Sequence, residues 1–283
     1  MFVVLKVIIK TLLAAAILFI IAAKPAAAQT EFGFAVWDVD RLYDTIPSPR
    51  YNDSDYTPDG RLKWNSERYR HRVELTAAVI DSMAVPVVAL CGIENENVVR
   101  DIALCCQGEY AYIHRTLDTR DGMDVALLYY ADLLFVSHTD GGRHHLTVEG
   151  RIGDADYAFI ICASAEELPV SVGRLRRDNS GIRIVAAGNL RYANLHDTRL
   201  HDFCTDSEAE GQGNALFRNG WKMTERIAVS AGLEAECSVY ARRWMLGPKG
   251  SPHPLYHGRV YKGGTGRRLP TTSRIRVSGS AQK

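Results

Sequence analysis

Apolar residues recur along this chain with two different periods. Between Ser66 and Met83, Tyr69, Val73, Ala77 and Ile80 return every three or four positions among charged neighbours. That spacing predicts a helix with one buried face and Ser66 as its N-cap. A second helix is predicted from near Asn95, where Val98, Val99, Ile102 and Ala103 repeat the pattern. Elsewhere the apolar positions come in short runs rich in branched and aromatic residues, which predict strands at 34–39, 85–91, 125–130, 145–151, 157–162, 182–187, 227–229 and 275–277. Gly141-Gly142 lies between two such runs and reads as a hairpin turn, not a domain boundary. Residues 48–62 form a turn-rich loop, and no internal repeat or low-complexity segment interrupts the chain. Many short strands with few helices, those mostly in the first half, predict facing sheets with helices outside.

The first 28 residues read as a leader, not as part of the fold. Lys6 and Lys10 precede an almost wholly apolar stretch at 11–23, and Ala26-Ala27-Ala28 offers a small-residue cleavage site before Gln29. An uncleaved anchor is the rival reading, but the apolar run falls short of the ~20 residues that span a bilayer. Contact with a membrane is expected only through this segment, if it stays uncleaved. The sequence therefore predicts an exported protein, periplasmic or secreted, with one domain over 29–277 and a frayed polar tail at 278–283.

Charge narrows the picture little. The chain has 34 basic and 33 acidic residues; without Lys6, Lys10 and Lys24 the balance is 31 to 33, or −2. A near-neutral chain gives no whole-protein argument for nucleic-acid binding. The cysteines match no zinc spacing. Cys91 and Cys162 sit in apolar strands as small buried hydrophobes, neighbouring Cys105 and Cys106 cannot easily bridge each other, and Cys204 and Cys237 are the better disulfide candidates for an exported chain.

Five blocks carry the clearest chemistry: WDVDRLYDT at 37–45, PVVALCGIENENVVRDI at 86–102, DGMDVALLYY at 121–130, IRIVAAGNLR at 182–191 and YKGGTGRRLPT at 261–271. In this order they resemble the endonuclease/exonuclease/phosphatase family, in particular its exported bacterial branch. TPDGRLKWNSERYRHRVELTAAVI at 57–80 and WKMTERIAVSAGL at 221–233 are similar to further segments of that branch, the latter to W-x-x-I-D-Q-I-I-V-S-x-x-L. The resemblance spans roughly residues 34–277. It implies an α/β four-layer sandwich of two facing, mostly antiparallel sheets with outer helices. It also implies metal-dependent phosphoester hydrolysis, in which a divalent cation, usually magnesium, is held by carboxylates and an Asn while an Asp-held His and an Asp activate water.

Several of the residues that the resemblance assigns to this reaction are replaced. The ligand Glu of L-C-E-V-E-N falls on Gly92, Asp38 stands at the family's Asn, and Glu94 occupies the second acidic position. Strand alternation puts Glu94 on the same face as Gly92, which makes Asp38 and Glu94 the candidate metal ligands. The H-x-P-S-R block falls on Ala163-Ser164-Ala165-Glu166-Glu167, G-D-F-N becomes Gly188-Asn189-Leu190-Arg191, and S-D-H becomes Gly266-Arg267-Arg268. The interval from Glu166 to Val185 is short, so the family's helix there is expected to be shortened or absent. Arg268 stays protonated and cannot serve as a base.

These replacements predict a protein that has lost hydrolysis and acts in binding or interaction, with no cofactor and with an anionic ligand or a protein as partner. Arg191, Arg267 and Arg268 are the anion-binding candidates, through a cleft whose charge they reverse; the competing expectation pairs them with Glu166 and Glu167. The alternative is a surviving phosphoesterase or nuclease that uses Asp38, Glu94 and Asn189 with magnesium or manganese. His196, Asp197, His201 and Asp202 lie in a polar stretch without metal-ligand spacing. His144, His145, His253 and His257 read as surface residues, and Tyr110, Tyr112, Tyr129 and Tyr130 as core or edge aromatics. No G-x-S-x-G, P-loop or G-x-G-x-x-G motif is present.

Overall fold

The computed structural model describes residues 31–278. The leader at 1–28 and the tail beyond Ser278 lie outside the described residues. The elements run β1 (Glu31–Leu42), α1 (Ser66–Met83), β2 (Val87–Ile93), α2 (Glu96–Cys105), β3 (Tyr110–Arg115), β4 (Asp124–Tyr130), β5 (Phe135–Gly141), β6 (His145–Ile152), β7 (Ala155–Cys162), α3 (Leu168–Asp178) and β8 (Arg183–Asn189). They continue as β9 (Leu200–Asp202), α4 (Cys204–Ala209), β10 (Ala215–Phe217), β11 (Gly220–Lys222), β12 (Glu225–Ser230), β13 (Leu233–Val239), β14 (Tyr256–His257), β15 (Val260–Tyr261) and β16 (Thr271–Val277).

Two six-stranded sheets form, ordered β13-β16-β1-β2-β4-β3 and β5-β6-β7-β8-β12-β9. Only β1 with β2 and β7 with β8 pair in parallel; the other pairs within both sheets are antiparallel. Alternation along β1 explains the layering. Phe32, Phe34 and Val36 point to a core between the sheets, where Phe34 stacks on Phe159 at 5.9 Å. Ala35, Trp37 and Val39 point the other way, to a second core under α1 and α2. A third core lies between α3 and the second sheet, built from Val172, Leu175, Ile160 and Ile184. Three cores separate four layers, as the resemblance implies.

The helix ends differ slightly from expectation. Asn65, not Ser66, caps α1 by accepting from the Arg68 N–H, and Asn95 caps α2 by accepting from the Val98 N–H. The helix expected to be shortened or missing after Glu166 is present as the 11-residue α3. Pro169 sits in its first turn, and Leu168, Val172 and Leu175 give it one buried face. Cys204 and Cys237 are bonded, tying α4 to β13 across 33 residues. Cys91 and Cys162 are free and buried. The Gly141-Gly142 turn joins β5 to β6 as an antiparallel hairpin.

Among the described residues no helix is long and apolar enough to cross a membrane.

Candidate functional site

The site forms where regular pairing breaks down. β1 follows β2 as far as Asp38 opposite Cys91, and pairing resumes only at Leu42 opposite Ile93. The irregularity places Asp40 and Arg41 at φ of 57° and 64°, and Gly92 at 77°. This is left-handed backbone that glycine adopts freely and other residues adopt at a cost. Beside this break, β8 ends on Asn189, which pairs with Glu225 at the start of β12. The loop into β16 brings Arg267 and Arg268 to the same place. Its position is fixed because the Trp37 indole N–H donates to the Arg268 carbonyl at 3.1 Å.

The result is a cleft of about 300 Å³, whose lining includes Asp38, Asp40, Arg41, Gly92, Asp121, Asn189, Glu225, Arg267 and Arg268. Its charged groups are already partnered. Arg267 donates to Asp40 from its main-chain N–H at 2.9 Å, from Nε at 3.1 Å and from Nη2 at 2.9 Å. Arg268 donates to Glu225 Oε1 at 3.1 Å and to the Thr224 hydroxyl, and its Nε lies 3.8 Å from Asp38 Oδ2. Arg41 meets Asp121 at 3.2 Å. Four carboxylates face three guanidiniums, so the expected reversal of charge does not occur: Asp40 and Glu225 offset the new arginines.

Burial sets the titration of these groups. It pushes the Asp38 carboxyl upward, against the pull of Arg268. It raises Glu225 to about 7, helped by the nearby Asp38 charge. Burial also acts upward on Asp40, but the bonds and charge of Arg267 outweigh it and hold Asp40 below the ordinary carboxylate range.

The candidate residues do not all converge. Asp38, Asn189, Arg267 and Arg268 line this cleft, but Glu94 does not. It lines a second cleft of about 350 Å³ with Asp44, Tyr51, Asn95 and Asp124. The irregularity between Cys91 and Ile93 breaks the strand alternation that would have put Glu94 beside Asp38. There the Glu94 carboxylate accepts from the Asp44 N–H and the Tyr51 hydroxyl. Arg191 is held by Glu208 at 3.0 Å and is absent from the cleft lining. The expected pairing of the arginines with Glu166 and Glu167 is replaced by pairing with Asp40, Glu225, Asp38 and Glu208. Glu166 and Glu167 instead face His144 and His145, at 3.9 Å and 3.3 Å.

His145 is buried, contrary to its reading as a surface residue. Its Nε2 meets the Ser171 hydroxyl at 2.8 Å and its Nδ1 meets Glu167 Oε2 at 3.3 Å. The order matches that of a nucleophilic triad, but Ser171 lies within α3, where its N–H is spent on the Glu167 carbonyl. It is also buried, so the set ties β6 to α3 instead of presenting a nucleophile. His196, Asp197, His201 and Asp202 do not converge: His196 faces Asp197, Asp202 binds Arg226, and His201 packs on Phe203.

Five residues of the site escape the sequence reading. Asp40 and Arg41 lie inside the first quoted block, and Asp121 opens the third. Glu225 aligns with the Asp of W-x-x-I-D-Q, a signal present in the sequence. Arg72 falls three residues after Tyr69 and so on the buried face of α1; it donates to the carbonyls of Val39 and Gly264 and supports both sides of the cleft.

A divalent cation does not fit these donors. Gly92 offers no ligand, Asp38 Oδ1 accepts from the Asp40 N–H at 2.8 Å, and Glu225 is held by Thr224 and Arg268. Hard cations need several free oxygens around one point, and a guanidinium already stands between these. Among the described residues no group of three or more His, Cys, Asp or Glu is arranged to hold a metal ion.

Comparison with known proteins bears on the fold. The sequence model described as the Endonuclease/Exonuclease/phosphatase family matches residues 33–167. Compared with curated proteins, the sequence matches none. A family protein from Bacteroides thetaiotaomicron is 13% identical at a TM-score of 0.58, over 88% of this chain and 98% of its own. One from Bacteroides vulgatus is 11% identical at 0.57, over 88% of this chain and 100% of its own. D. rerio TDP2, complexed with a single strand DNA product, is 10% identical at 0.56, over 87% and 99%. At these identities the structures are similar in fold alone.

Proposed function

For a chain that has the fold of the endonuclease/exonuclease/phosphatase family, and that family's sequence pattern over residues 33–167, we propose a binding or interaction role without metal-dependent phosphoester hydrolysis. The observation that carries this reading is Gly92. A Cβ added there would come within 2.4 Å of Asp38 Oδ1, so the Asp38 carboxylate fills the space in which a ligand side chain from this position would begin. Loss of the general base at Arg268 alone typically costs ~10²–10⁴-fold. Hydrolysis of a phosphodiester needs acceleration toward the upper part of the ~10⁶–10¹⁷ range, which this cleft lacks the groups to supply.

Export is part of the proposal. The leader pattern supports it, and so does the Cys204–Cys237 bond, because disulfides persist in oxidising compartments. The partner proposed is a protein or another ligand bound outside the cleft, because the cleft arginines already have internal carboxylates.

The test is hydrolysis of a generic phosphodiester and of short single-stranded oligonucleotides with magnesium and with manganese. No turnover above buffer is expected. Metal-dependent turnover that disappears in Asp38→Ala defeats the proposal.

A further inference from the structure

Asp38 belongs to one sheet and Glu225 to the other, yet both face the guanidinium of Arg268. Two carboxylates meeting across a sandwich, Glu225 buried and Asp38 half-buried, repel unless a positive charge separates them. In this protein that charge is a guanidinium, covalently part of the chain. It is also held in place from behind. The Arg268 carbonyl accepts from Trp37, and its backbone bridges Ala215, so the point from which the side chain reaches into the cleft is fixed against β1 and β10.

We propose that Arg268 is the resident cation of this cleft: its guanidinium and a divalent ion exclude each other, and Asp38 with Glu225 becomes a cation site only when that guanidinium is removed. The inference rests on the reading of a cleft without metal-dependent chemistry and deepens it by naming the group responsible. Exclusion follows from charge and from space. A divalent ion drawn to Asp38 and Glu225 would stand beside a positive charge that is hydrogen-bonded to Glu225 and lies 3.8 Å from Asp38 Oδ2. Glu225 could not turn toward the ion without first losing Arg268.

The experiment is Mn²⁺ binding at neutral pH, read from free Mn²⁺ by electron paramagnetic resonance and from the melting temperature. It compares the wild-type protein with Arg268→Met, Arg268→Lys and Arg268→Met/Asp38→Asn. Methionine keeps an apolar stem of similar reach, whereas lysine keeps the charge. The wild type and Arg268→Lys are expected to bind no Mn²⁺ at millimolar concentration. Arg268→Met is expected to bind at least about tenfold more tightly than the wild type and to melt higher with Mn²⁺. The added Asp38→Asn is expected to abolish both effects.

No gain in Arg268→Met, or an equal gain in Arg268→Lys, overturns the proposal. Circular dichroism establishes that each variant is folded. Should Arg268→Met fail to fold, the wild type still decides the question against its own Asp38→Asn variant: Mn²⁺ binding that depends on Asp38 overturns the inference, and its absence supports it. Wild-type binding without turnover would sink this inference and leave the non-hydrolytic reading intact; turnover would sink both.

Discussion

The carboxylate of Asp38 and the bare Cα of Gly92 share one space. A Cβ at Gly92 would lie 2.4 Å from Asp38 Oδ1 and 3.4 Å from the Arg41 nitrogen, and φ there is 77°. The two positions therefore belong together: a side chain at 92 requires the Asp38 carboxylate to turn away. Gly92→Glu is accordingly expected to yield no metal-dependent turnover. It is also expected to lose stability, with the left-handed backbone alone costing about 1–3 kcal/mol and the displacement of Asp38 adding to that. Denaturant unfolding and a phosphodiester assay measure both; an unchanged midpoint, or turnover with manganese, refutes the expectation.

Arg72 is the pillar under this arrangement. It is fully buried on α1, donates to Gly264 at 3.2 Å and to the Val39 carbonyl, and lies 5.9 Å from the Trp37 ring. Burial lowers its pKa to about 10, so it remains charged at neutral pH. Arg72→Met strands two buried carbonyls, each at about 1–3 kcal/mol, and is expected to lower stability by roughly 2–5 kcal/mol. Hydrogen exchange should accelerate at residues 38–41 and 264–267 more than in α3. Uniform acceleration across both regions would mean that Arg72 supports the fold but not the cleft specifically.

The Cys204–Cys237 bond closes a loop across 33 residues and joins α4 to the edge strand β13. Chain-entropy arguments assign a loop of that size roughly 3–4 kcal/mol. Cys204→Ala/Cys237→Ala, or reduction of the wild type, is expected to lower unfolding stability by that order. Mass spectrometry of alkylated protein gives the direct check, with four reactive thiols, not six, after denaturation without reductant.

What the sequence made legible follows from where each signal lies. The central strands were readable because burial on both faces leaves continuous apolar runs, as in Val87–Ile93 and Asp124–Tyr130. The edge strand Phe135–Gly141 was not, because most of it is exposed and carries neither run nor alternation. α3, which the sequence leaves as shortened or absent, is faint there because Gly173 and three arginines dilute an apolar face of only three residues, Leu168, Val172 and Leu175. At the site, Gly92, Asp38 and Arg268 were identified from their blocks. Their partners, Asp40, Glu225 and Arg72, depend on contacts between distant segments that no local pattern records. Glu94 was misplaced because alternation assumes an unbroken ladder, and the chain breaks it between Cys91 and Ile93.

Glu94 gives the clearest pH signature. Its carboxyl is buried, and burial raises it from the ordinary 4.5 to about 7, although the Asp44 N–H and the Tyr51 hydroxyl favour the charged form. The unfolded chain then releases this proton at lower pH than the folded one. Between about pH 4.5 and pH 7 the folded state holds more protons, so the contribution of Glu94 to stability falls as pH rises. Glu94→Gln removes that dependence, at a constant cost because its amide cannot accept from both donors. Relative to the wild type, the variant is therefore expected to gain on the order of 2–3 kcal/mol on moving from pH 5 to pH 8. The comparison is one of slopes from urea unfolding at several pH values, which separates titration from the fixed loss of a hydrogen bond. Parallel slopes for the two proteins would place the Glu94 pKa near its unfolded value and refute the assignment.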